Sequence, residues 1–333
     1  MKKHATGITA SAPESEMVFG KRELERTLRV QPAPRRSMSL RDWSLIFLLG
    51  AIWGGAFFFG RVAVAEIAPL KLVMFRVTLA AIVLQCYLLL AGPSFRLALP
   101  MAGSFFILAL LNNLIPFSLM FLGQTEIGAG LASILNATTP FWTAMLAQLF
   151  ATEERLNFNK VAGILLGMLG TAVMIGPGLA ESLGGPLWAK MALIGTAVSY
   201  AFGFIFARRF REIPAPVVAT GQLTAGAIIM IPSVLLLYGT DRLFEASLPV
   251  WGAVFGLAIM ATAFAYIIYF KLLHSAGATN TSLVTLIVPI SAILLGAIFL
   301  GERLELFEIG GMILIGFGLL TIDGRIRLRL SRD

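Results

Sequence analysis

Long apolar runs without a charged residue alternate with short polar or charged breaks along this chain of 333 residues. The runs cover 43–60, 77–95, 97–125, 127–152, 161–180, 191–207, 213–240, 246–270, 275–301 and 309–322. A helix that crosses a bilayer needs about 20 mainly apolar residues. Trimmed at Gly, Pro and charged residues, the runs predict ten such helices, near 43–63, 70–91, 101–122, 128–150, 159–176, 188–207, 215–238, 249–271, 277–300 and 306–323. Residues 1–42 mix Ser, Pro and charge without apolar periodicity, which predicts a disordered or weakly helical tail. Arg35-Arg36 ahead of the first run faintly matches a twin-arginine export signal, but Arg41 and Asp42 intervene and no small-residue cleavage site follows.

The pattern occurs twice. At an offset of 149, Gly128, Ala129, Ser133 and Pro140 fall on Gly277, Ala278, Ser282 and Pro289. After a slip of one residue, Glu154, Arg155, Leu156, Gly163 and Gly170 fall on Glu302, Arg303, Leu304, Gly311 and Gly318. Each copy reads as an apolar helix with a proline, a Glu-Arg-Leu turn and a glycine-rich apolar helix, the signature of a duplication. A fainter match at an offset of 145 places Gly50, Ala56, Phe57, Phe59 and Pro69 on Gly195, Ala201, Phe202, Phe204 and Pro214. The expected architecture is therefore all-α: ten transmembrane helices as two five-helix repeats, 43–176 and 188–323, with a basic tail at 1–42 and a basic end at 324–333.

Five helices is an odd number, so the second repeat must enter the membrane upside down relative to the first. Lys/Arg placement fixes the orientation, with twenty on the side of both termini, five on the other, and Arg76 inside a helix. Both termini are expected in the cytoplasm, and the two Glu-Arg-Leu turns on opposite faces.

Composition narrows the function classes. Charged residues make up 13% of the chain and apolar ones 58%, which places most of it in lipid. Nine Lys/Arg lie before Trp43 and four Arg in the last nine residues, so the basic charge behind the net +8 flanks the spans, a membrane-anchoring pattern and not one for nucleic acid. His4, His274 and Cys86 are the only soft ligands, so no metal site is expected, nor any cofactor, and one cysteine permits no intrachain disulfide.

Polar residues inside spans are costly, and they are the natural candidates for a binding site. These are Arg76 in helix two, Asn112 and Asn113 in helix three, Asn136 in helix four, and Ser199 with Tyr200 in helix six. For an Asn the plainer role is interhelical glue worth about 1 kcal/mol. Trp53, Phe57, Trp142, Tyr266 and Tyr269 are candidates for aromatic cavity walls or for simple packing. Arg76 lies six residues into its helix, about 9 Å from the start at 1.5 Å per residue. It can snorkel to the outer interface, pair with a carbonyl, or recognise an anionic group such as a carboxylate. Pro116, Pro140 and Pro289 interrupt helices three, four and nine, and each frees a carbonyl that a neighbour, water or substrate must satisfy. The matched pair Pro140 and Pro289 is expected to place equivalent bends in the two repeats. Gly163-x-x-x-Gly167 and the Gly163/Gly170 face recurring at Gly311/Gly318 predict close packing, either inside one chain or between two copies in a homodimer. No Asp or Glu lies inside any of the ten runs, which disfavours a proton-coupled exporter of organic cations.

With the duplicated proline helix, the Glu-Arg-Leu turn, the glycine-rich helix and Arg76 early in helix two, the chain resembles EamA-type members of the drug/metabolite transporter superfamily. The resemblance covers about residues 43–323, with Thr152-Glu153-Glu154-Arg155 departing slightly from Gly301-Glu302-Arg303. It implies an inner-membrane basket of ten helices whose central cavity is lined mainly by helices one, three, four, six, eight and nine. It also implies transport of small metabolites such as amino acids or their relatives. The expected function is a secondary carrier of a small polar metabolite working by alternating access in the lipid bilayer. A membrane-embedded enzyme would need a convergent acid, base or nucleophile, and a channel would need charge rings or a carbonyl filter.

Overall fold

A computed structural model describes residues 38–150, 157–174, 186–240, 243–291 and 306–323, and these are helical apart from short connections. The two Glu-Arg-Leu turns, the tail before Met38 and the basic C-terminus lie outside the described residues. The first helix, α1 (Leu40–Ala63), starts with a capping box. The Ser39 hydroxyl accepts from the Asp42 backbone N–H at 3.1 Å while the Asp42 carboxylate accepts from the Ser39 N–H at 3.0 Å. Asp42 thus lies in the first helical turn, where it also accepts from the Ser275 hydroxyl at 2.5 Å. The Ser39-x-x-Asp42 spacing could have extended the predicted start at residue 43 back to this cap.

Proline at its first position starts α2 (Pro69–Ala91), where a missing N–H costs nothing. α3 (Ala98–Glu126) is a long span with a π-helical segment at Leu110–Leu114. Helix four, expected as one piece over 128–150, is broken into α4 (Ala129–Asn136) and α5 (Thr139–Phe150). α6 (Phe158–Met174) completes the first half. The second half runs through α7 (Leu187–Ala207), α8 (Ala215–Tyr238), α9 (Leu248–Ser282), α10 (284–291) and α11 (Leu306–Asp323). Within α9 a π-helical segment spans Gly256–Phe264, and the chain breaks at Gly277, whose φ of 81° is open to glycine at little cost. Helices eight and nine of the sequence expectation meet at this glycine. Among the described residues, six helices are long and apolar enough to cross a membrane. Large apolar side chains such as Phe47, Leu89, Leu236 and Phe264 stand on the outside of the bundle, as lipid contact requires.

The glycine faces pack inside one chain. A Cβ on Gly163 would lie 2.6 Å from the Gly318 carbonyl oxygen, and one on Gly170 would lie 2.7 Å from that of Gly311. Residue 163 thus meets 318 while 170 meets 311, so α6 and α11 are antiparallel. The contact is also reciprocal: exchanging each glycine for its duplicate turns one pairing into the other, as a two-fold relation between the halves demands. This glycine face is occupied within the monomer and is not left for a second copy.

Candidate functional site

Pro116 organises the middle of the bundle. It cannot donate to a carbonyl one turn back, and the Ile115 N–H is drawn to Leu110 by the π-helical turn. The carbonyls of Leu111 and Asn112 instead accept from side chains on other helices. The Ser199 hydroxyl donates to Leu111 at 2.8 Å, and the Tyr266 hydroxyl donates to Asn112 at 2.9 Å. Tyr266 also accepts from the Asn113 amide at 2.7 Å, and the Asn112 amide donates to Gln222 at 3.1 Å. Helices three, six, seven and eight are tied together through one irregular segment.

The π-helical segment of helix eight holds the buried cation. At an offset of 149, Asn112 and Asn113 correspond to Ala261 and Thr262, so the two π-helical segments occupy equivalent places in the duplication. Arg76 donates from Nε to the Thr262 hydroxyl at 2.8 Å and from Nη2 to the Ala261 carbonyl at 3.4 Å. Its guanidinium lies over the Phe117 ring, 3.6 Å from the centroid. With 3% exposure it does not snorkel to the interface, because helices three and eight enclose it; of the two plainer roles, pairing with a carbonyl is the one present. Among the described residues no carboxylate pairs with it, and Nη1 has no hydrogen-bond partner.

Around this arginine lies a narrow central cavity. Its wall comprises Trp53, Ala56 and Phe57 from helix one, Arg76 from helix two, and Asn112, Phe117 and Met120 from helix three. Asn136 of helix four, Tyr200 and Phe204 of helix six, Tyr266 and Tyr269 of helix eight, and Thr285 and Val288 of helix nine complete it. About 40 Å³ is open to the centres of water molecules. At about 10–15 Å³ per water this is room for a few waters.

Of the eleven residues nominated from sequence, eight line this one cavity, namely Trp53, Phe57, Arg76, Asn112, Asn136, Tyr200, Tyr266 and Tyr269, while the Ser199 hydroxyl is spent on the Leu111 carbonyl. Asn113 does not line it; its amide is turned to the Tyr266 hydroxyl. Trp142 is also elsewhere, donating to Thr138 at 3.3 Å. Thr285 was missed, although it is the duplicate of Asn136 at the offset of 149 and could have been found by that arithmetic.

The prolines do not give matching bends. Pro140 follows a break at Ala137-Thr138, where the Thr138 hydroxyl donates to Leu135 at 2.7 Å and the Thr139 hydroxyl to Asn136 at 2.6 Å. In the second copy these positions are Ile287 and Val288, which have no hydroxyl. The break moves to Leu283, beside Ser282 and Thr285, whose hydroxyls donate to Thr279 and Ser282, each at 2.8 Å. Pro289 then lies within the helix at 284–291. A pair of hydroxyl-to-carbonyl bonds accompanies each break.

Comparison with known proteins agrees with this architecture. A solved crystal structure aligns with a TM-score of 0.69 at 19% identity, covering 85% of this chain and 96% of its own, which is a likeness of fold. A Salmonella typhimurium protein described as a "Probable amino-acid metabolite efflux pump" is 29% identical over 294 residues, 85% of this chain and 94% of its own. An Escherichia coli K12 protein described as the uncharacterized inner membrane transporter YedA is 27% identical over 269 residues, 79% of this chain and 84% of its own. The EamA-like transporter family matches residues 43–176 and again 187–322, leaving only the tail, a short linker and the last residues unmatched. The chain belongs to the EamA-like transporter family, within the drug/metabolite transporter superfamily, and is a multi-pass membrane transporter and not an enzyme.

Proposed function

We propose that this transporter is a secondary carrier for a small polar metabolite, an amino acid or a related compound, which it moves across the inner membrane by alternating access. The observation that carries the reading is the central cavity, because its polar wall is drawn from both halves of the duplication. The antiparallel, reciprocal packing of Gly163 on Gly318 and Gly170 on Gly311 supports two inverted five-helix repeats, 43–176 and 188–323. Such halves can exchange conformations and open one midplane site to either side. The Lys/Arg bias supports cytoplasmic termini, with basic segments at 1–42 and 324–333. The relative described as an amino-acid metabolite efflux pump supports the substrate class, and the inner-membrane relative supports the location.

Counterflow in proteoliposomes tests the reading. Liposomes loaded with an unlabelled amino acid should accelerate entry of the labelled compound above the rate in empty liposomes. Uptake unaffected by internal load for every amino acid that enters would exclude a carrier and leave a channel.

A further inference from the structure

We propose that the substrate carries a carboxylate, that Arg76 is the specificity residue that binds it, and that organic cations are excluded. This deepens the carrier reading and rests on the same cavity. Arg76 is a permanent cation held away from water, with Nε committed to Thr262 at 2.8 Å and the guanidinium face committed to Phe117 at 3.6 Å. Those contacts fix the plane of the fork while Nη1 keeps its donors unused. A carboxylate supplies both the charge and the paired acceptors that a fixed guanidinium edge requires. A neutral carbonyl would accept a hydrogen bond but leave the charge unbalanced. An organic cation would bring a second positive charge into a low-dielectric site whose wall includes no acidic residue.

The remaining unpartnered wall atoms define the other end of the ligand. Asn136 Oδ1 and the Tyr269 hydroxyl are buried, at 5% and 1% exposure, and neither has a hydrogen-bond partner. Both can accept from an N–H donor, and the aromatic wall offers ring faces to an ammonium group. The site thus combines one cationic donor group with neutral acceptors, the complement of an α-amino acid zwitterion.

The test uses the purified full chain in detergent and reads binding by thermal shift. The probes are the standard amino acids, each compared with its α-carboxamide, together with tetraphenylphosphonium as an organic cation. At least one acid should stabilise the protein, and its carboxamide should bind about tenfold to a hundredfold more weakly, the worth of one charge-assisted pair. Arg76→Gln should remove the difference between acid and amide, and Arg76→Lys should keep part of it. Equal shifts from acid and amide, shifts only from tetraphenylphosphonium, or no shift from any acid would overturn the assignment. If Arg76→Gln does not fold, the wild-type comparison still tests the carboxylate and Arg76→Lys still tests Arg76, an undiminished acid preference in Arg76→Lys counting against it. Acid binding without counterflow would sink the carrier reading and leave the carboxylate site standing.

Discussion

The Tyr266 hydroxyl donates to the Asn112 carbonyl at 2.9 Å, supplying the hydrogen bond that Pro116 withholds from that carbonyl. It is also the acceptor for the Asn113 amide at 2.7 Å, so one phenol serves two groups of the same π-helical segment. Tyr266→Phe keeps the ring and strands both. The expected cost is about 1–3 kcal/mol, toward the lower end because polar contacts in membranes often find substitutes. A fall in Tm of the purified variant checks this, and a Tm equal to wild type would mean that water takes the place of the phenol.

Close packing of α6 on α11 makes a sharper demand. A Cβ at Gly163 would meet the Gly318 carbonyl oxygen at 2.6 Å, and backbone cannot swing aside as a side chain does. Gly163→Val should destabilise the fold by at least the usual cost of overpacking, about 1–3 kcal/mol. Gly103→Ala is the control, since nothing lies within 4 Å of a Cβ there. Comparable Tm losses in both variants would show that the contact carries no special weight.

Much of this arrangement was legible in sequence because lipid imposes a coarse rule. Span length and punctuation by Gly, Pro and charge located the helices, and isolated polarity in apolar runs singled out Arg76, Asn112 and Asn136. What escaped depends on pairings between helices that no local pattern encodes. At the Ala137-Thr138 break two threonine hydroxyls donate to carbonyls, and at the Leu110–Leu114 π-helical segment hydroxyls of Ser199 and Tyr266 on other helices donate to the displaced backbone carbonyls. Arg76 is the clearest case: its depth can be read from its place in helix two, but only the packing of Phe117 and Thr262 about it shows that it turns inward.

Opposed orientation of the two halves makes a topological prediction. In a Cys86→Ala background, Asn157→Cys and Glu305→Cys introduce single thiols next to the two Glu-Arg-Leu turns. An impermeant maleimide added to intact cells should label only position 305. Labelling of both positions, or of 157 alone, would refute an inverted duplication.

The last prediction concerns coupling. Glu66 accepts from the Ser247 backbone N–H and from the Ser247 hydroxyl, both at 2.7 Å, and Ser247 caps the N-terminus of α9. These bonds, the backbone one first, hold its carboxyl below the ordinary value of 4.5. Because the folded-state value is the depressed one, the stabilisation is present above about 4.5 and fades as pH falls through the lower folded value. The Tm difference between wild type and Glu66→Gln should therefore be small but measurable at neutral pH, as suits an exposed group, and should vanish in stronger acid. At neutral pH Glu66 therefore stays ionised and has no proton to exchange. Transport by Glu66→Gln should accordingly persist in liposomes with no pH gradient, and Glu126→Gln should behave alike, since Glu126 is exposed at the end of α3. Complete loss of exchange in either variant, with folding and counter-ligand binding intact, would establish a coupling carboxylate and reopen the proton-driven export of cations.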